Sequence, residues 1–161
     1  MLFAVVEISA YIVRIERERL TPDNRKMLIE ILNSVSDYER IGDYCMNIVY
    51  TADEISENGI VFSPAGSAEV RSISEATEKI IDMSFTAFET ENSSQAYKVL
   101  PLAGTIARLK DVIESHHVER LQDGNCGVAG GVALYDLVNS FERIAMHSKT
   151  ISKHIITSVL K

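Results

Sequence analysis

Apolar residues return at helical spacing along nearly the whole chain. Over residues 2–18, Val5, Ile8, Ile12 and Ile15 recur every three or four positions while Arg14, Glu16, Arg17 and Arg19 take the other faces, which predicts a first amphipathic helix. Thr21-Pro22-Asp23 then supplies a capping hydroxyl, a proline at the first helical position and an acid in the first turn, so a second helix is predicted over residues 22–57, closed by Asn58-Gly59. At 1.5 Å per residue it is ~54 Å long, the length of an elongated bundle. Ser63-Pro64-Ala65-Gly66 reads as the first loop, with Ser67 capping a third helix over residues 67–91. Asn92 and Ser93 break the pattern, and a fourth helix runs over residues 94–122, where Pro101 removes one backbone donor and predicts a kink. Asp123-Gly124-Asn125 ends it, a tight glycine-rich turn spans residues 127–131, and a fifth helix covers residues 132–160. No segment is rich in strand formers. The pattern predicts an all-α, elongated antiparallel bundle of five long helices in a single domain.

One stretch conflicts with its own periodicity. At ~100° per residue, Leu28, Leu32, Val35, Glu39, Gly42, Asp43 and Met46 share one face of helix two, so two acids fall inside an apolar stripe. Glu39 and Asp43 are neighbours one turn apart, and a carboxylate taken out of water must find a cation, take up a proton or coordinate a metal. A structural pair with Arg40 or Arg143 is one reading, and metal ligation is the other. Oxygen ligands on adjacent turns suit iron, manganese, magnesium or calcium, and zinc less well. Asp37 projects about 160° away from Glu39 and is expected to be solvated.

The chain also repeats itself. A shift of 103 residues lays Tyr38-Glu39-Arg40-Ile41-Gly42 over Phe141-Glu142-Arg143-Ile144-Ala145, matching charged as well as apolar positions. Glu142 thus answers Glu39, but Met146 stands where Asp43 would repeat. Glu142 lies beside the stripe of Leu134, Leu137, Phe141 and Ile144, so a flank carboxylate is the plainer reading and metal ligation the other.

These residues resemble the PhoU family, whose repeated three-helix units carry a signature usually written Glu-Arg-Ile-Gly-Asp-His; here Glu39 to Asp43 match and Tyr44 replaces the histidine. Cys126, the glycine-rich turn and Asp136-Leu137-Val138-Asn139 further resemble the PhoU-like cytoplasmic region of bacterial sodium/phosphate cotransporters. The resemblance implies two related repeats, a partial first one over residues 1–62 that lacks its first helix and a second over residues 63–161. It implies metal at the acidic motifs. It also implies a non-enzymatic accessory or regulatory role in phosphate uptake, with a transporter membrane domain or phosphate-signalling protein as partner at the cytoplasmic face of the inner membrane. The absent helix would lie upstream of Met1, and the apolar stripe of helix one would be covered in a homodimer.

Composition narrows the classes. With a net charge of −7 in 161 residues, nucleic acid and anionic lipid are poor partners, since both demand a basic surface. The apolar start is interrupted by Glu7 and reads as neither signal peptide nor membrane span. Cys45 and Cys126 make no disulfide framework, which fits the cytoplasm. Glu114 and His117 have the Glu-x-x-His spacing of carboxylate-bridged di-iron bundles, which use two such copies; this chain has one, so a solvated turn is the plainer reading and auxiliary metal ligation the other. A di-iron enzyme and a metal-free helical scaffold are the rival readings.

Overall fold

The computed structural model describes the backbone of residues 2–16, 20–124 and 126–159, and the side chains of residues 6–15, 20–124 and 126–157. Five helices follow in order: α1 (Leu2–Glu16), α2 (Pro22–Glu57), α3 (Pro64–Glu89), α4 (Ser93–Gln122) and α5 (Val128–Val159). Among the described residues there is no strand, so the expected all-α helix bundle is the fold. No described helix is long and apolar enough to cross a membrane.

Local chemistry sets the starts. Thr21 accepts from the Asn24 N–H at 3.2 Å, Ser63 from Gly66 at 3.1 Å and Asn92 from Gln95 at 3.1 Å, each satisfying one of the donors a helix leaves unpaired at its first turn. Helix α3 therefore begins earlier than the Ser67 cap predicts, because Ser63-Pro64 repeats the hydroxyl-then-proline logic of Thr21-Pro22. The fifth helix also starts earlier, at Val128, so that of the glycines expected to form a turn Gly130 and Gly131 lie in its first turn and Gly127 just before it. Gly131 is small because α4 is close: a Cβ there would run into Nε2 of His117. Pro101 sits inside α4, whose helix continues through it.

The organising element is α5. It packs against α2, α3 and α4, whereas α1 touches α2 alone among the described elements. Leu134, Leu137, Val138, Phe141, Ile144, Ala145, Ile151 and Ile155 follow three-and-four spacing and are all buried. One cluster joins them to Ile73, Ile80, Val99, Ile106 and Ile113 of α3 and α4; a second joins Ile144, Ile151 and Ile155 to Ile41 of α2. Each such isoleucine contributes on the order of 1.5–3 kcal/mol by leaving water. Ser148 and Ser152, wholly buried on α5, let the neighbouring helices come near, and the Ser152 hydroxyl donates to the Ser148 carbonyl at 3.0 Å.

Helix α2 presents a different face from the expected one. Its buried residues are Ser34, Ile41 and Thr51, flanked by partly buried Tyr38, Tyr44, Ile48 and Ile55, while Met46 is exposed. Leu28, Leu32 and Val35 are only half-buried. Two apolar stripes share this helix, and the β-branched and aromatic one faces α5.

Candidate functional site

Helices α2 and α5 run antiparallel and cross where the internal repeat meets itself. Tyr44 and His147, equivalent under the 103-residue shift, stack with ring centroids 5.9 Å apart, and the equivalent pair Ile41 and Ile144 share one buried cluster. Beside them Asp37 accepts from Nδ1 of His147 at 2.8 Å and lies 4.0 Å from Nε2 of His154. Asp37 is thus not solvated as its angle from Glu39 suggested: its side chain is only 15% exposed, because the true core face of α2 is turned toward it. The sequence carried one signal for this cluster, the placement of His147 and His154 two turns apart on one face of α5.

The same rotation moves the two acids of the motif outward. Asp43 is 51% exposed and 3.8 Å from Arg40 of its own helix, and Glu39 is half-buried at the flank. Of the two arginines considered, Arg40 and not Arg143 stands beside Asp43 among the described residues. Two carboxylates on adjacent turns supply at most four oxygens, and a hard cation takes about six to eight. No third His, Cys, Asp or Glu joins them into a metal-holding group among the described residues. These two carboxylates alone do not complete a coordination shell, and any further ligands would have to come from water or another molecule.

The second-repeat acid has a cation already. Nζ of Lys110 on α4 lies 3.5 Å from Glu142 and 3.9 Å from Glu114, so an ammonium sits between these two candidate metal ligands. The 3.9 Å contact is too long for a hydrogen bond, and the buried Oε1 of Glu114 has none. His117 is not brought to Glu114 despite the spacing. Its ring lies against Gly131, with Nδ1 3.7 Å from the Cys126 thiol.

The neighbouring histidine does the pairing. Glu69 of α3 meets Nδ1 of His116 at 2.6 Å and Nη2 of Arg120 at 2.7 Å, clamping α3 to the end of α4. Burial alone would raise the Glu69 carboxyl, but hydrogen bonds from Arg120 and His116 and their charges outweigh it and hold it below the ordinary range. Here the sequence signal was His116 and Arg120, one turn apart on α4. Arg120, His117 and Cys126 also line a cleft of about 270 Å³ at the starts of α3 and α5. Both cysteines are free thiols, and burial raises Cys45.

The sequence profile of the PhoU domain matches residues 70–155, which hold most of α3, all of α4 and most of α5. The phosphate-specific transport system accessory protein PhoU homolog 1 of Thermotoga maritima is 26% identical over 131 residues, covering 81% of this chain and 56% of that protein. The PhoU homolog of Pseudomonas aeruginosa is 26% identical over 140 residues, 87% of this chain and 57% of its own length. The chain thus spans a little over half the length of these relatives. The crystal structure of PhoU from Pseudomonas aeruginosa superposes with a TM-score of 0.88 over 97% of this chain and 74% of that one. The phosphate transport system regulatory protein PhoU from Streptococcus pneumoniae, at 17% identity and a TM-score of 0.82, shares the fold. A matched domain over more than half of the chain, carried on the same helical scaffold, places the chain in the PhoU family.

Proposed function

We propose that this chain is a non-enzymatic accessory or regulatory domain of phosphate uptake, acting by contact with a transporter or a phosphate-signalling protein on the cytoplasmic side. The observation that carries the reading is the match to proteins named as accessory to phosphate-specific transport, over nearly the whole chain and on a common fold. The polar clusters support it: Glu69 with Arg120, Glu142 with Lys110 and Asp37 with His147 are paired within the bundle and brace helices against one another. The half-site of Glu39 and Asp43 is the proposed metal position, an iron, manganese, magnesium, calcium or zinc ion bridging to a partner. A finer reading makes the chain the cytoplasmic domain of a sodium-dependent phosphate transporter. The experiment is complementation in a bacterial strain lacking its own PhoU protein, read by phosphate uptake and by a phosphate-starvation reporter. Restored repression in high phosphate is expected; unchanged uptake and reporter output from a well-expressed chain would sink the reading. Membrane-spanning helices encoded upstream in the same frame would establish the finer one.

A further inference from the structure

A cleft of about 530 Å³ opens between the first half of α2, the end of α3 and the second half of α5, and the proposed role in phosphate uptake makes no use of it. Its floor is apolar, formed by Met27, Ile31, Phe88 and Ile155. Set into that floor is Ser34, 1% exposed, whose hydroxyl has no hydrogen-bond partner. Thr77 and Ser152 return their protons to the carbonyl one turn back, on Ile73 at 2.8 Å and Ser148 at 3.0 Å, whereas Ser148, whose buried hydroxyl also lacks a partner, does not line this cleft. A buried hydroxyl left without that bond is costly, and here it borders a space large enough to bring it a partner.

The rim fixes the charge of that partner. Among the described residues, Asp23, Glu30 and Glu91 set three carboxylates around the opening against one ammonium, Lys26, and one imidazole, His154. Glu91 is the single non-glycine residue with positive φ among those described, at +49°, a turn position where glycine or asparagine is cheaper. The side chain that this conformation carries reaches the cleft.

The geometry points to a binding site for a small cationic amphiphile: an apolar body of drug-like size lying on Met27, Ile31, Phe88 and Ile155, a hydrogen-bond acceptor met by Ser34, and an ammonium held by Glu30 and Glu91. An anionic head on the same body meets described rim residues of net negative charge and is disfavoured.

The probes are N-(3-dimethylaminopropyl)decanamide, cationic at neutral pH, and N-decanoylglycine, which keeps the decanoyl chain and amide but carries a carboxylate. Each is titrated into the intact chain below its aggregation concentration, by calorimetry and by methyl resonances of Ile31 and Ile155. Saturable one-to-one binding of the cation is expected, with the anion at least tenfold weaker. Ser34→Ala should weaken the cation about three- to tenfold, the worth of one neutral hydrogen bond, while raising the melting temperature, because it removes an unpartnered buried hydroxyl. A merely structural serine would move the melting temperature down and leave affinity alone. Glu91→Gly, which suits the positive φ, should keep the fold and narrow the cation-over-anion preference, as should Glu30→Gln. Met27→Trp, at a half-exposed floor position, should block binding without unfolding. The inference is overturned by no saturable binding to the parent chain, by equal affinity for the two heads, by full affinity in Ser34→Ala, or by affinity that falls as the protein is concentrated, which would assign the cleft to a second copy. Complementation of phosphate regulation is scored separately, so either reading can fail alone.

Discussion

Asp37 brings a negative charge into the contact between α2 and α5, and its hydrogen bond to His147 makes it a brace that helical periodicity alone assigns to solvent. Removing the carboxylate leaves a mostly buried imidazole without its acceptor, and an unsatisfied buried group costs on the order of 1–3 kcal/mol. Asp37→Ala should lower stability by about that amount in urea unfolding, and Asp37→Asn, which retains an acceptor, by less; equal losses would mean that packing rather than the hydrogen bond matters. Glu69 is a second such brace, with a pH signature. Its folded carboxyl is held below the ordinary value of about 4.3, so its stabilisation is fully present above that pH and is lost as pH falls through the lower, folded value. The acid limb of the parent's stability curve should therefore be steeper than that of Glu69→Gln, in which this proton uptake is absent; superimposable acid limbs would deny the brace.

Among the elements, α5 was the most legible, since a continuous three-and-four pattern of Leu134, Leu137, Phe141 and Ile144 needs no tertiary information to be recognised as a buried face. Helix α2 was legible in extent and not in orientation. Its length, cap and end follow from Thr21-Pro22 and Asn58-Gly59, but it carries two apolar stripes, and a single sequence does not say which one a neighbour covers. That one ambiguity explains both differences: periodicity points Asp43 and Met46 inward where they lie outward, and Asp37 outward where it lies inward. Clusters such as Glu69 with Arg120 join residues 51 positions apart, beyond the reach of spacing within one helix. If the half-site on α2 holds a metal, Glu39→Ala with Asp43→Ala should abolish most bound metal by elemental analysis, and added metal should raise the melting temperature of the parent but not of this variant. Because Asp43 is half-exposed and makes only a 3.8 Å contact with Arg40, the double variant should fold normally, so unchanged metal content would refute the assignment rather than report unfolding.

At the scale of the whole molecule the bundle is lopsided. Helix α5 is covered by α2, α3 and α4, but α1 rests on α2 alone and buries Ile12 while leaving Val6 57% and Val13 47% exposed two turns apart on one face. Tyr11, on the opposite flank of α1, and Ile29 on α2 add further exposed apolar side chains. Soluble monomers seldom leave so many large apolar side chains of one short helix in water, and a symmetric pairing of α1 helices through the Val6 and Val13 face would cover part of them with one self-complementary patch. A helix of this length offers roughly 22 Å of contact, so a stable dimer, which needs about 800 Å² from each partner, must recruit the adjoining α2 surface as well. A homodimer is therefore expected, with α1 at its centre. Sedimentation should show a concentration-dependent dimer for the parent chain and a monomer for Val6→Lys with Val13→Lys, two exposed positions where lysine leaves the described core untouched. Circular dichroism of the double variant should match the parent, which separates dissociation from unfolding. A parent chain that stays monomeric at high concentration, or a dimer that survives both lysines, would place the covering of α1 elsewhere.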